Sequence, residues 1–377
     1  MRRPILFYSC PDQDGDLRYF GGFSAPDPFI AMGFDHERLA VVSSLEYGRA
    51  QKESRFTKVI ELSSLEGEVR QLFPDAPLNP AKVIACLGHK LGFPTFTVPP
   101  SFPVGLAREL EGLGLQIEVG ESPFIPGRAS KTPVEATAIR RANHIAAQGL
   151  KRAETILREA TISHGYLIHQ GKRLSSEVLR REIEIACLSA GGRAEGTIAA
   201  GGDQACDPHQ RGHGPLRAHQ LIIVDVFPQC LKTGYFGDMS RTFLKGTPSD
   251  SQTALVGTVR NAQKAALQKV RSGILGNKLY HDTVHFFTEA GYTSGKVDNH
   301  YEGFIHGLGH GLGLEIHEAP NLGSRHSTCR LPANAVVTIE PGLYYPGLGA
   351  CRIEDVVWLK PEGSELLSRY PYRWILP

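Results

Sequence analysis

The stretch HGLGHGLGLEIHE, residues 306–318, has the residue types and spacing of a site that binds metal ions or moves protons. It holds the histidines His306, His310 and His317, with glycines at alternate positions between them. Glycine lets a backbone approach a neighbour closely, and histidine is a common metal ligand and proton carrier. The competing interpretation is a glycine-rich loop with solvated histidines. Acidic residues elsewhere in the chain distinguish the two interpretations.

Two aspartates lie on the strands of a predicted hairpin. The run LIIVDVF is apolar apart from Asp225, and the run GYFGDMSRTF carries Asp238. A buried carboxylate is costly unless it is paired or binds a cation. With a turn centred on Leu231 and Lys232, the two aspartates face each other. Because opposed like charges destabilise a sheet, we expect a positive charge between them.

A second predicted hairpin repeats this pattern. The run AVVTIEP carries Glu340, ACRIEDVVWL carries Glu354, and a turn with its midpoint at Gly347 places the two glutamates opposite each other. Two helices precede each hairpin, which suggests an internal duplication. Two acid pairs beside a histidine supply the terminal and bridging ligands that two divalent cations need. The competing interpretation is that nearby basic residues neutralise these acids, namely Arg241, Arg352 or Lys232.

The elements that must position these residues begin after a linker rich in Pro, Gly and Ser at residues 122–131. Thr132, Pro133 and Glu135 then have the pattern of a capping box, which predicts a long helix to about Ala160. Periodic apolar residues predict further helices at 176–189, about 253–272 and about 278–290.

The N-terminal third alternates apolar runs with amphipathic stretches, which predicts an α/β layer. Its glycines lack the spacing of a phosphate-binding loop. The predicted strands are 39–42, 59–62, 83–87 and 115–119, and the predicted helices are 64–73 and 104–113.

Length and composition limit the classes of protein to which the chain can belong. A chain of 377 residues exceeds one usual hydrophobic core, so two domains are expected. The formal charge of +2, with both signs interspersed, gives no reason to expect nucleic acid or a membrane as partner. No apolar run is long enough to span a bilayer, and acids follow the N-terminal arginines too closely for a signal peptide. Seven cysteines without CxxC spacing favour a reducing, cytoplasmic location.

The residues Asp225, Asp238, His310, Glu340 and Glu354, in this order, resemble the metal ligands of the pita-bread metallopeptidases, family M24, of the Xaa-Pro dipeptidase (prolidase) and aminopeptidase P type. The resembling motifs are VDVFP, GYFGDMSRTF, HGLGHGLGLEIHE, TIEPGLYY and RIEDVV, and LRYFGGFSAPDPF and SSLEYGRAQKES resemble the domain that precedes the catalytic one. The resemblance implies an α/β creatinase-like N-terminal domain at 1–126, an α+β pita-bread catalytic domain at 127–377, and a homodimer.

The resemblance also implies two divalent metal ions, usually manganese, with cobalt, zinc or iron as alternatives. In that family pattern Asp225 chelates one metal, His310 and Glu340 hold the other, and Asp238 and Glu354 bridge both. A metal-bridging hydroxide then attacks the scissile carbonyl.

The family pattern assigns roles to four residues around the metals. Glu340 assists proton transfer, and His317 stabilises the tetrahedral intermediate. His209 helps to hold the substrate for catalysis, and His306 is the outer histidine of the substrate pocket.

Two assignments stay open. His213 and His219 compete with His209 for the substrate role, and spacing favours His209. Strand alternation puts Arg352 on the same face as Glu354, where it either pairs with a metal-bridging carboxylate or grips the free carboxylate of a dipeptide.

The expected activity is hydrolysis of Xaa-Pro bonds by an Xaa-Pro dipeptidase. The alternatives are an Xaa-Pro aminopeptidase acting on longer peptides, a non-peptidase of the same fold, and a non-catalytic binding protein. A dimetal phosphoesterase is disfavoured because the sequence has no phosphate cradle.

Overall fold

The computed structural model describes residues 4–74, 77–324 and 330–377. Contacts divide the chain into two compact units, Met1–Arg128 and Ala129–Pro377.

None of the helices in the described part of the chain combines the length and the apolar character that crossing a membrane requires. Six of the seven cysteines are buried with free thiols, and Cys329 lies outside the described residues.

The N-terminal unit is built around a mixed sheet with the strand order β4-β3-β2-β1-β5-β6. Its strands are β1 (Ile5–Ser9), β2 (Phe29–Phe34), β3 (Glu37–Val42), β4 (Lys58–Glu61), β5 (Thr95–Val98) and β6 (Gln116–Val119). Its helices are α1 (Gly15–Gly21), α2 (Ser44–Glu53), α3 (Glu66–Leu72), α4 (Pro80–Leu91) and α5 (Val104–Gly112).

The strand predicted at 83–87 is wrong, because these residues lie inside helix α4. The side chain of Asn79 caps the helix, Pro80 is its first residue, and Gly92 ends it in the left-handed conformation at φ 73°. These start and stop signals outweigh a short apolar run, which by itself does not distinguish a buried strand from a buried helix.

The helices of the C-terminal unit are α6 (Pro133–Glu159), α7 (Ser176–Ser189), α8 (Asp250–Lys269) and α9 (Gly276–Glu289). Helix α6 begins with the predicted capping box, in which Thr132 and Glu135 satisfy each other's backbone N–H groups. Helix α8 begins three residues before its predicted start. A second capping box, formed by Ser249 and Gln252, fixes that boundary.

The strands of the two main sheets of the C-terminal unit and of the β20–β21 pair are β11 (Ile198–Gly201), β12 (Leu221–Val226), β14 (Met239–Lys245), β17 (His310–Gly311), β18 (Glu318–Asn321), β19 (Val336–Ile339), β20 (Gly342–Tyr345), β21 (Gly349–Arg352), β22 (Asp355–Lys360), β23 (Gly363–Leu366) and β24 (Ile375–Leu376). Smaller strands are β7 (Thr161–Ser163), β8 (Tyr166–His169), β9 (Lys172–Arg173), β10 (Gly192–Arg193), β13 (Gln229–Cys230), β15 (Gly295–Val297) and β16 (His300–Glu302). The main sheets have the orders β11-β12-β14-β24 and β18-β17-β19-β22-β23, and β20 pairs with β21.

The two halves of this unit repeat one order of elements, two helices followed by an antiparallel hairpin, as the sequence predicts. Buried side chains of α6 and α7 form one hydrophobic core with β12 and β14. Buried side chains of α8 and α9 form a second core with β19 and β22. Each hairpin is therefore supported by its own pair of helices.

Candidate active site

The first hairpin has a different register from the predicted one. Strands β12 and β14 place Asp225 opposite Ser240, and Asp238 directly precedes β14. The prediction that the two aspartates face each other is therefore wrong. The error moves the partner by two residues, and because side chains alternate with a period of two, Asp238 stays on the same face as Ser240.

The turn of this hairpin explains the shift. Its centre lies at Lys232 and Thr233, one residue later than predicted, and Cys230 N donates to Tyr235 O at 2.9 Å across it. Lys232 is exposed in the turn. It therefore does not supply the buried positive charge that the competing salt-bridge interpretation requires.

The second hairpin has the predicted register. Gly342 pairs with Arg352 in β20 and β21, and β19 and β22 continue the same register, with the midpoint at Gly347. Glu340 and Glu354 lie opposite each other between these two paired segments.

His310 meets acids from both hairpins. One ligand atom each from Asp238, His310 and Glu354 lies within 4.8 Å of the other two, and all three side chains are buried. His310 Nε2 lies 3.5 Å from Asp238 Oδ2 and 3.4 Å from Glu340 Oε1. Its Nδ1 lies 3.0 Å from Gly311 O. Because a carbonyl only accepts, Nδ1 carries the proton and the Nε2 lone pair faces the acids.

Glycines give the histidine stretch its close fit to the neighbouring strands. A Cβ at Gly309 would overlap the backbone carbonyl of Thr338, and one at Gly311 would overlap the carbonyls of the strand beside it. The sequence predicts this close backbone approach, and the structure confirms it.

Arg352 is buried in the same cluster. Its Nη2 donates to Asp225 Oδ2 at 2.7 Å, its Nε to Ser240 Oγ at 3.1 Å and its Nη1 to Tyr344 OH at 3.0 Å. Of the two roles left open by the sequence, the geometry favours pairing with a carboxylate. That carboxylate is Asp225, the terminal ligand of the family pattern, and not a bridging one.

The remaining acids of the cluster form no ion pair with an arginine or lysine of the described residues. Within residues 4–74, 77–324 and 330–377, neither a lysine nor an arginine lies at ion-pair distance from Asp238, Glu340 or Glu354. Arg241, a predicted competitor, pairs instead with Asp355 at 2.9 Å. A buried group of four acids in which only Asp225 pairs with an arginine or lysine of the described residues favours cation binding.

The burial of these acids changes their proton affinity. Desolvation, followed by the charges of neighbouring carboxylates, raises the pKa of Asp238 and Glu354 well above their ordinary values. Desolvation also raises the pKa of Glu340. The same cause lowers the pKa of His310, so this ring stays neutral and able to coordinate.

His306 ends a hydrogen-bond chain that starts at Arg352. Its Nδ1 lies 2.8 Å from Gly307 O, so Nδ1 is protonated and Nε2 accepts from Tyr344 OH at 2.8 Å. Tyr344 in turn accepts from Arg352. Burial lowers the pKa of His306 and raises that of Tyr344 to about 12, which keeps both groups neutral.

His317 and His209 are exposed beside this cluster. The ring of His317 meets that of His310 edge to face, with centroids 4.4 Å apart. Desolvation, followed by the charge of His310, lowers the pKa of His317. The charge of His209 also lowers the pKa of both His306 and His317, which places His209 close to these two residues.

The two competitors of His209 have other surroundings. His213 lines a separate cavity of about 200 Å³ with Asp203 and Gln204. His219 accepts from Thr247 N at Nδ1, at 2.9 Å. The charge of His209, by contrast, lowers the pKa of His306 and of His317.

Several residues that hold the site escape the sequence reasoning. Asn143 Oδ1 accepts from Asp238 N at 3.2 Å, and Thr338 Oγ1 donates to Glu340 Oε1 at 3.2 Å. Asn143 is a polar residue at a buried position of a helix, a pattern that could have marked it. Thr338 and Tyr344 lie in strands where nothing in their spacing distinguishes them.

A duplicated pair of helices and hairpin, with acids and a histidine converging between the halves, is the arrangement of a metal-dependent hydrolase site. The family model described as metallopeptidase family M24 matches residues 137–361, and the chain belongs to this family. The Xaa-Pro dipeptidase of Pyrococcus furiosus is 32% identical over 203 residues, 54% of this chain and 55% of that protein. An uncharacterized peptidase of Staphylococcus aureus is 35% identical over 175 residues, 46% of this chain and 47% of that protein. The matches thus span about half the length of these curated relatives.

Solved structures share the fold over nearly the whole chain. X-Pro aminopeptidase from Thermotoga maritima has a TM-score of 0.83 at 23% identity, covering 99% of this chain and 97% of that chain. Prolidase from Pyrococcus furiosus has a TM-score of 0.79 at 23% identity, covering 98% of this chain and 96% of that chain. The predicted fold, an α/β creatinase-like part followed by an α+β pita-bread part, is confirmed.

Proposed function

We propose that this chain is an Xaa-Pro dipeptidase that uses two divalent metal ions. The observation that carries the proposal is the buried convergence of Asp238, His310 and Glu354 on one point. Asp225 and Glu340 adjoin that point through their contacts with Arg352 and with His310. The similarity to the Xaa-Pro dipeptidase of Pyrococcus furiosus supports the choice of substrate bond.

The residues fit two cations by charge and by donor type. Asp225 Oδ1 is buried and has no hydrogen-bond partner among the described residues, although its other oxygen is paired. The lone pair of His310 Nε2 and the carboxylates of Asp238, Glu340 and Glu354 are further donors. When bound, divalent cations supply a Lewis acid for the scissile carbonyl and lower the pKa of a bound water. Oxygen-rich donors favour manganese over cobalt, zinc or iron.

We assign the ligand roles as the family pattern has them. Asp225 would hold one metal, His310 and Glu340 would hold the other, and Asp238 and Glu354 would serve both. Thr338 fixes Glu340 Oε1 by a hydrogen bond of 3.2 Å.

The same residues account for the proton movements of peptide hydrolysis. We assign Glu340, which lies beside His310 and is held by Thr338, to take a proton from the attacking water and pass it to the leaving amine. His317 has the edge position beside His310 from which a ring N–H can meet negative charge on the substrate oxygen. We assign His209 and His306 to orient the substrate. Arg352 acts through Asp225 and leaves the substrate carboxylate to other groups.

A homodimer and a cytoplasmic location stay predictions from the sequence. We also propose that Met1–Arg128 serves as the N-terminal domain and Ala129–Pro377 as the catalytic domain.

The test is hydrolysis of an Xaa-Pro dipeptide, an Xaa-Pro tripeptide and a Met-Ala peptide, each with manganese and with chelator. Cleavage of the dipeptide alone, only with metal, supports the proposal. Preference for the tripeptide would reassign the chain as an aminopeptidase on longer peptides. Cleavage of none of the three would leave a non-peptidase or a binding protein of the same fold.

A further inference from the structure

A second buried polar cluster lies directly behind the proposed metal ligands. Arg241 and Asp355 pair at 2.9 Å, with relative exposures of 2% and 0%. Each follows a residue of the site, since Arg241 comes after Ser240 and Asp355 after Glu354. The pair is therefore covalently adjacent to the site.

Arg241 joins the backbone segments of Ser240 and Glu354 by hydrogen bonds. Its Nη1 donates to Ser240 O at 2.9 Å and to Glu354 O at 2.7 Å. Glu354 N donates to the same Ser240 carbonyl at 3.1 Å, and Ser240 Oγ donates to Glu354 Oε2 at 3.0 Å. The guanidinium thus fixes the backbone from which the Glu354 carboxylate extends.

Asp355 connects Arg241 to the C-terminal segment. Its Oδ1 accepts from Ser368 Oγ at 2.7 Å, and its Oδ2 accepts from Tyr372 OH at 2.6 Å and from Gln263 Nε2 at 2.7 Å. The Tyr372 ring packs on the Arg241 guanidinium, 4.5 Å from centroid to Cζ. Asp355 is fully satisfied, so it holds Arg241 in a single orientation.

We propose that Arg241 and Asp355, together with Tyr372, are positioning residues that set the geometry of Glu354 for metal binding. The inference rests on the proposed function, because it requires Glu354 to be a metal ligand. A buried ion pair need not increase stability over an apolar pair, whereas outer partners of a metal ligand govern affinity. A purely structural pair would affect folding but not the bound metal.

The experiment compares Arg241→Lys and Tyr372→Phe with the control Lys245→Met in the full chain. Lys245 lies on the same strand as Arg241, is buried, and donates to the carbonyls of Arg158 and Pro377, so it also holds the C-terminal segment. It has no hydrogen bond with Glu354 among the described contacts. Tyr372→Phe keeps the ring and loses one hydrogen bond, so it tests the same cluster even if Arg241→Lys does not fold. Metal is removed from each protein with chelator. One portion of the stripped protein is used for a thermal melt. A second portion is titrated with cobalt, and binding is followed by visible absorption and by competition with a metal indicator.

The expected result is that Arg241→Lys weakens cobalt binding roughly 10- to 100-fold and alters its visible spectrum, with a smaller loss for Tyr372→Phe. Lys245→Met should lower the Tm of the stripped protein while keeping the wild-type spectrum and affinity. Wild-type spectra and affinities in all three variants would overturn this inference alone. If the wild type itself takes up no cobalt, the metal site fails and the inference fails with it.

Discussion

Arg352 Nη2 lies 2.7 Å from Asp225 Oδ2, and the other oxygen of Asp225 is buried with no hydrogen-bond partner in the described part of the chain. The arginine therefore occupies one side of this carboxylate and leaves the other side for a cation. The planar guanidinium also bonds Ser240 and Tyr344, so its shape as well as its charge is used.

Replacement of Arg352 by lysine should weaken metal binding, because an ammonium group cannot keep three directed hydrogen bonds in this geometry. We expect the affinity for manganese to fall about 10- to 100-fold, as for other outer partners of metal ligands. Equilibrium dialysis measures it. The matched control is Arg152→Lys, which alters a partly exposed pair with Glu182 and should bind manganese as the wild type does. Equal affinities in both variants would refute the role of Arg352.

Asp238→Asn should abolish turnover and leave the fold intact, because it removes a proposed bridging ligand but keeps the size of the side chain. The loss in kcat/KM should be at least about 100-fold, the upper range for outer partners of a metal ligand. Circular dichroism checks the fold, and Asp282→Asn, at an exposed pair with Lys269, serves as the control. Unchanged activity of Asp238→Asn with added manganese would defeat the metal assignment.

The raised pKa of Asp238 predicts how the metal-free protein responds to pH. Burial, followed by the charge of Asp225, raises this pKa, so the folded state binds the proton more tightly than the unfolded chain. The stabilisation is complete below the unfolded pKa of about 4 and is lost as pH rises through the raised value. In chelator, the Tm of Asp238→Asn should therefore increase relative to that of wild type between about pH 5 and pH 8.

Thermal melts of both proteins across this pH range measure the effect. Histidines outside the cluster titrate alike in both proteins and cancel in the difference, whereas His310 and Glu354, which lie beside Asp238, contribute to it. A difference in Tm that is constant with pH would contradict the raised pKa.

Gly309→Ala should disrupt the site, because its Cβ would overlap the Thr338 backbone beside His310. At Gly307 the nearest atom to an added Cβ is Leu322 O, at 3.5 Å, an ordinary contact. We expect Gly309→Ala to lower both Tm and metal affinity, and Gly307→Ala to change neither by a comparable amount. Similar behaviour of the two variants would show that close packing of this stretch is not what places His310.

The sequence predicts the site best where the turn has a clear centre. The register that sets Glu340 against Glu354 follows from a glycine-rich turn at Gly347, and the structure has that register. The partner of Asp225 is misplaced because the other turn lacks such a marker. Because the register error is two residues, Asp238 stays on the same face of the sheet, and the acids still converge.

Capping residues can be recognised in the sequence, so they predict helix boundaries. Tertiary contacts between distant residues cannot be recognised there. Helix α6 is predicted from its capping box, whereas the apolar run at 83–87 predicts a strand and the caps Asn79 and Gly92 make it part of a helix. The supporting contacts of Asn143 and Tyr344 join residues distant in sequence, and no local pattern encodes them.

The rate of Xaa-Pro dipeptide hydrolysis, measured as manganese is added stepwise to the stripped protein, tests the proposed dimetal site most directly. A dimetal site predicts no activity without metal and a rate that rises to a plateau at two equivalents per chain. A rate independent of manganese, or no cleavage at any metal content, would contradict the proposal that this acid and histidine cluster is a dimetal peptidase site.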